Sequence, residues 1–251
     1  MLSSSNILVM RNAILKASKN LRRDFGELEK LQNSKSNIKN FVENSYQNTQ
    51  DALLADLKGA RPDWVFYVKK NDNFGLQQLK DEKFCLIKPI SGLSNFAKGI
   101  SYFAISAIYF NKLTPEAAVI YDPIKDELFY SEKGRGAFVN NSRIRFSSLK
   151  KLPDSIFVLN NNTLFMPMIQ KKILNITQLE VRIFGCSCLD IANLASGKID
   201  CYITNSKLED SLEPGTLLVQ EAGGIEYSTK ADEKIFFYTN DFIVDILENK
   251  L

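Results

Sequence analysis

The chain has 251 residues, of which 45% are hydrophobic and 24% charged, with a net charge of +3. This supports a sizeable core in an ordinary water-soluble composition and gives no direct nucleic-acid signal. Histidine is absent, which excludes Ser-His and Cys-His nucleophile pairs and histidine-ligated iron or copper. No apolar run approaches the roughly 18 residues of a membrane-spanning helix. The start lacks the basic-then-apolar pattern of a signal peptide, so no membrane association and a cytoplasmic location are expected. The cysteines Cys85, Cys186, Cys188 and Cys201 lie in apolar or small-residue contexts that suit buried free thiols. Cys186-x-Cys188 has neither a second cysteine pair nor a histidine to complete a zinc site.

In chain order, apolar positions at helical spacing predict a helix over Ile7 to Phe25. A polar loop is expected at 32–40, then a second helix over Val42–Lys58 with Gly59 as its stop. Trp64–Val68 and Phe84–Ile87 read as strands separated by a polar segment, 69–83. A meander is expected next: Tyr102–Phe110, Ala117–Tyr121, Glu127–Ser131, Gly136–Val139 and Arg143–Phe146. Turn signals at Asn111-Lys112, Asp122-Pro123 and Asn140-Asn141 separate the strands.

Beyond residue 150 strands and helices alternate, which predicts an α/β half. The strands are Ser155–Leu159, Val181–Phe184, Ile199–Thr204, Ile225–Ser228 and Ile235–Thr239. The helices are Thr163–Leu174, Ser187–Ser196, Leu212–Ala222 and Phe242–Leu247. A soft boundary near 148–152 divides an α+β half, 1–150, from an α/β half, 151–251, within one compact unit. The aromatic runs Phe129-Tyr130 and Phe236-Phe237-Tyr238 read as core rather than as stacking platforms for bases.

Residues 88–96 read Lys-Pro-Ile-Ser-Gly-Leu-Ser-Asn-Phe. They have the outline of a phosphatase loop, Asp-Pro-Ile-Asp-Gly-Thr-x-Asn-Phe, with both aspartates and the first threonine replaced. Downstream come Gly99-Ile100-x-x-Phe103-Ala104-Ile105-Ser106, Glu132-Lys-Gly134-x-Gly136-Ala-Phe138, Gly185-Cys-Ser-Cys-Leu-Asp190-Ile-Ala192 and Gly215-x-Leu-Leu-Val-Gln-Glu221-Ala-Gly-Gly224. Arg23-Asp24-Phe25-Gly26-Glu27 fits the same pattern near the start. In order and spacing these segments resemble the inositol monophosphatase family, in particular its bacterial SuhB-type members, over nearly the whole chain.

The resemblance implies a layered α-β-α-β-α sandwich and a homodimer. It also implies magnesium-dependent hydrolysis of phosphate monoesters, in which carboxylates hold the ions and the ions activate water. Carried over position by position, that machinery fails here. The family's Gly-Glu-Glu segment falls on Val68-Lys69-Lys70, the motif aspartates on Lys88 and Ser91, the threonine on Leu93 and a later aspartate on Ser211. Two upstream acidic positions fall on Asn40 and near Tyr46, and Ile90 retains only its carbonyl as a ligand. Polyol-site positions fall on Gly185, Cys186, Ser187 and Thr204. No metal and no cofactor are therefore expected, although the family uses magnesium.

Two readings of Lys69 and Lys88 stand side by side. In the favoured one they are solvated lysines in a pocket released from catalysis. In the other, Lys69, Lys88, Gly92, Leu93 and Ser94 bind a small anion or phosphate in place of the metals. Asp190 and Glu221 read as packing residues, not replacement acids. For function, the favoured expectation is a pseudoenzyme that acts by binding, since the resemblance implies a protein partner in the transcription machinery such as RNA polymerase. The alternative is a residual or altered phosphatase acting on inositol 1-phosphate or a sugar phosphate.

Overall fold

The computed structural model describes residues 4–31, 35–69, 83–148, 152–160, 180–207, 213–229 and 235–250. It opens with two long helices, α1 (Ser5–Leu31) and α2 (Lys35–Ala60). On α1, Ile7, Met10, Ile14, Ala17, Leu21 and Leu28 form one buried stripe at helical spacing. On α2 the buried stripe is Val42, Tyr46, Leu53 and Leu57, with Ser45 and Thr49 between them. Ile38 and Phe41 extend this stripe toward the N-terminus. Residues 35–40 are therefore helical and not the expected loop, because the apolar period starts before the polar composition changes.

Seven strands form the first sheet in sequence order: β1 (Val65–Val68), β2 (Lys83–Ser91), β3 (Ala104–Asn111), β4 (Thr114–Asp122), β5 (Glu127–Glu132), β6 (Gly136–Val139) and β7 (Ser142–Arg143). β1 pairs parallel with β2, and every later pair is antiparallel. The turns follow from their residues. Lys112 and Leu113 have positive φ between β3 and β4, as do Asn140 and Asn141 between β6 and β7. Two-residue hairpin turns demand that conformation, and asparagine tolerates it well. Asp122 accepts the amides of Ile124 and Lys125 at 2.9 and 3.0 Å, which fixes the turn at Asp122-Pro123. The strand expected at Arg143–Phe146 stops at Arg143. Phe146 instead donates its amide to the Ala222 carbonyl at 3.0 Å, where the chain leaves the sheet.

The two faces of this sheet alternate by residue. Cys85, Ile87, Ile105, Ala107, Tyr109, Val119 and Tyr121 pack under α1 and α2. Ala104, Ile120, Phe129 and Ala137 face the opposite way, against α4 (Ser187–Ala195) and α5 (Gly215–Ala222). Those helices in turn cover a second sheet of order β11-β12-β10-β8-β9. Its strands are β8 (Ile156–Leu159), β9 (Glu180–Arg182), β10 (Cys201–Thr204), β11 (Ile225–Ser228) and β12 (Phe236–Thr239). The last helix, α6 (Asp241–Lys250), buries Ile243 and Leu247 against Phe157, Leu159, Ile203 and Phe237 on that sheet's outer face. The layers run α-β-α-β-α as the resemblance implied. Phe129 and Phe237 are fully buried, so those aromatic runs are core. The helix expected at Thr163–Leu174 lies outside the described residues.

The middle helix layer is tight. α5 begins after Pro214, which suits a helix start better than an interior position. Its Gly215 faces α4, and a Cβ there would overlap the side chain of Ile191. Gly215→Ala is therefore expected to cost about 1–3 kcal/mol, measured by urea unfolding. The loss should be smaller in an Ile191→Ala background, where the overlapping atoms are removed. Equal losses in both backgrounds would show that this contact does not set the helix spacing.

Candidate functional site

The loop at 88–96 is shaped by residues that remain in the motif. Lys88 pairs with Ser106 and Ser91 with Ala104, so β2 carries one extra residue between these pairs. In a regular strand positions three apart point to opposite faces. The bulge turns Ser91 onto the Lys88 side, where α4 and α5 lie. Gly92 then takes φ 80°, and a Cβ there would meet the Tyr102 carbonyl and Cys186 at 3.0 Å. After it comes the short helix α3 (Leu93–Ala97). Asn95 Nδ2 donates to the carbonyls of Tyr102 and Phe184, both at 2.8 Å, and Phe96 is fully buried against Phe103 and Phe25. The Gly, Asn and Phe thus hold the loop through backbone and apolar contacts that do not depend on the aspartates.

Lys69 follows β1 and donates its amide to the Ile87 carbonyl, which sets it beside Lys88. Its ammonium lies 3.2 Å from Glu213 Oε1, and that of Lys88 lies 2.5 Å from the same oxygen. The three side chains are 3%, 13% and 7% exposed in the order Lys69, Lys88, Glu213. The expectation of solvated lysines is corrected: both are drawn inward by a shared carboxylate. Burial by itself would raise the Glu213 pKa, but the charges of Lys88 and Lys69 and their hydrogen bonds hold it at about 2. Sequence reasoning missed Glu213 because it occupies no motif position. Its one signal is an acid directly before the Pro214-Gly215 start of α5.

Two thiols and two hydroxyls lie beside this cluster. Cys188 Sγ is 3.7 Å from Glu213 Oε2 and 3.5 Å from Ser106 Oγ. Cys186 Sγ lies 3.5 Å from Ser91 Oγ and donates to the Ser91 carbonyl at 3.4 Å. All four cysteines are free and buried, and burial pushes the thiols of Cys186 and Cys188 upward in pKa. Ile90 is also buried. Glu213 lines a cavity of about 420 Å³ with Thr216, Leu217, Ile108 and Phe110. Leu93 and Ser94 line a different cavity of about 650 Å³, with Lys39, Glu43 and Lys98. The structure thus brings Lys69 and Lys88 together on Glu213, while Leu93 and Ser94 open elsewhere. Of the polyol-site positions, Cys186 and Thr204 are buried, Gly185 is exposed and Ser187 lies between. Thr204 Oγ1 is 3.4 Å from Ser206 Oγ. Ser211 and Lys70 lie outside the described residues.

The two remaining acids have structural partners. Glu221 accepts the amides of Gly134 and Gly136, both at 2.7 Å, and so anchors the β5–β6 turn to α5. Asp190, on α4, is buried and accepts the Tyr102 hydroxyl at 2.8 Å, with Asn193 donating to that hydroxyl at 3.2 Å. Burial raises the Asp190 pKa to about 7, and the Tyr102 hydrogen bond opposes the rise. A carboxyl that is more basic folded than unfolded binds more protons in the native state between pH 4 and 7. Stability therefore falls as pH rises through that window. Asp190→Asn should flatten the fall by a few kcal/mol, from about 1.4 kcal/mol per pKa unit, as read by urea unfolding at pH 5 and pH 8. An unchanged slope would mean that Asp190 is ionised throughout.

Residues 4–245 match the model of the inositol monophosphatase family. The chain is 31% identical over 232 residues to an inositol-1-monophosphatase of Mesorhizobium japonicum, covering 89% of this chain and 85% of that protein. It is also 31% identical to the Nus factor SuhB of Vibrio cholerae, covering 85% and 81% of the two chains. The solved structure of the extragenic suppressor protein SuhB from Bartonella henselae superimposes with a TM-score of 0.78 at 29% identity, over 99% of this chain and 98% of that one. These matches overturn the expectation that no cofactor is involved, because the matched family normally uses magnesium. The described residues do not fit the ion as a carboxylate site would. Ammonium groups cannot coordinate a cation, and the carboxylate of Glu213 is already engaged by two of them. Among the described residues no group of three or more His, Cys, Asp or Glu side chains is placed to hold a metal. A family-wide match over 4–245, a shared layer order and a loop framed by the same Gly, Asn and Phe lead to one conclusion: this chain belongs to the inositol monophosphatase family.

Proposed function

We propose that this chain is a SuhB-type pseudoenzyme that works by binding a protein partner and does not hydrolyse phosphate monoesters by the magnesium route. The observation that carries the reading is the Lys69–Glu213–Lys88 cluster. Two cations stand at positions where the reaction needs carboxylates to hold its ions and activate water. Repulsion by buried ammonium groups opposes a divalent cation there, and among the described residues the Glu213 carboxylate is held by the same groups.

Several relatives carry the name Nus factor SuhB, the one from Vibrio cholerae among them. That name supports transcription machinery as the partner class, a role that draws on surface and fold rather than on the metal carboxylates. A homodimer in the cytoplasm goes with this reading. Ile100, Ile183 and Phe184 are large exposed apolar side chains, the backbones of Ile100 and Phe184 being hydrogen-bonded to Asn95 of the loop, and they offer apolar area for a second copy.

The deciding experiment measures phosphate release from inositol 1-phosphate with and without added magnesium. No turnover above background is expected from the unmodified chain in either condition. Magnesium-dependent turnover would overturn the reading. A second arm restores acids with Lys69→Glu, Lys88→Asp and Ser91→Asp together. Glu213 then loses its cations, and the variant is expected to gain magnesium binding by calorimetry.

A further inference from the structure

A further cavity of about 300 Å³ lies between α1 and the turns that join β4 to β5 and β6 to β7. It belongs to the α1 face of the first sheet, whereas the lysine cluster lies on the α5 face. Arg11 and Leu15 line it from α1, and Tyr121, Asp126, Leu128 and Asn140 line it from the strands and turns. Its two charged groups are opposite in sign and are not paired with each other. Arg11 is half-buried and has no ion pair or hydrogen bond among the described residues. Asp126 is anchored. The Tyr121 hydroxyl donates to its Oδ1 at 2.5 Å, and Asn140 Nδ2 donates to its carbonyl at 3.1 Å. Asn140 is fixed in turn, because its Oδ1 accepts the Leu128 amide at 2.9 Å. Burial, and after it the bond to Asp126, pushes the Tyr121 hydroxyl up to about 12, so it remains a donor at neutral pH. The carboxylate is thereby held in place with its second oxygen unused among the described residues.

We infer that this cavity binds the zwitterion of a free α-amino acid with an aliphatic side chain, its carboxylate on Arg11 and its ammonium on Asp126. Charge complementarity selects this class. A lone anion gains at Arg11 but is repelled by Asp126, and a lone amine meets the reverse. A zwitterion satisfies both groups, and a guanidinium takes a carboxylate through two parallel hydrogen bonds. Leu15 and Leu128 supply apolar lining for the side chain. A cavity of about 300 Å³ stands at the small end of ligand pockets, which suits one amino acid better than a larger cofactor. The site shares no residue with the lysine cluster, so it stands apart from the pseudoenzyme reading.

Calorimetry at neutral pH with L-leucine tests the site, beside two analogues that each lack one of its charges, 4-methylpentanoate and isopentylamine. The unmodified chain is expected to bind leucine about tenfold more tightly than either analogue, the difference that one lost hydrogen-bonded charge makes. Arg11→Gln and Asp126→Asn should each weaken leucine binding by about tenfold. Asparagine at 126 keeps an acceptor for Tyr121 and tolerates the φ of 56° found there, so that variant should melt close to the unmodified chain. No heat with leucine at millimolar concentration would overturn the inference. So would equal binding of leucine and its one-charge analogues, or leucine binding that both variants retain in full, because each result describes a solvated hollow and not a site. The analogue comparison uses the unmodified chain, so it decides the matter whether or not a variant folds.

Discussion

The Lys69–Glu213–Lys88 cluster lies where water is largely excluded, and Coulomb's law sets strict terms in such a place. An isolated buried charge is so unfavourable that the group neutralises or finds a partner. Here each lysine ammonium meets Glu213 and the carboxylate meets both lysines. Breaking one member out of a buried pair costs about 3–5 kcal/mol, whereas replacing all members by apolar groups of similar size is often neutral. The three residues therefore form one unit. Neither lysine is tolerable in this place without an acid, and the acid is tolerable only beside the lysines. The segment that enters α5 is in this way tied to the end of β1 and to the middle of β2.

Around that unit the scaffold is indifferent to charge. The bulge between Lys88 and Ser91, the left-handed Gly92, the two bonds from Asn95 and the buried Phe96 rest on backbone geometry and apolar packing. A fully buried phenylalanine contributes on the order of 1.5–3 kcal/mol, whatever stands at position 88. This explains how a loop keeps its outline while its acids are replaced. The motif combines two independent sets of residues, the Gly, Asn and Phe that make the shape and the acids of the family pattern, and this chain keeps the first set.

That separation also governs how much could be read beforehand. The layers were legible because the apolar periods of α1, α2 and β2–β5 alternate as burial requires, and because turn residues such as Asn140 and Asn141 have one easy conformation. The misplaced boundaries arose where composition and packing disagree. Residues 35–40 are polar yet continue the stripe that Ile38 and Phe41 begin. Phe146 looks like strand but is pulled away by the carbonyl of Ala222. That positions 69, 88 and 91 carry no carboxylate was visible in the sequence, because each differs from the motif it resembles. The gain of Glu213 was not. A long-range ion pair leaves no periodicity, and Glu213 lies 144 residues from Lys69 and 125 from Lys88.

Ser91, Ser106, Cys186 and Cys188 beside the cluster are small, and burial pushes the two thiols toward their protonated forms. The next ionisable groups on α4, Asp190 with its Tyr102 partner, form a separate network. The ring of Tyr102 packs against exposed Phe184 at 5.0 Å while its hydroxyl reaches Asp190. The rim that presents Ile100, Ile183 and Phe184 is thus supported by Asn95 and Tyr102, not by the lysines. A surface with that support can be kept or altered for a partner without disturbing the cluster. The physical layout therefore leaves the support of these apolar side chains independent of the charges at Lys69, Lys88 and Glu213.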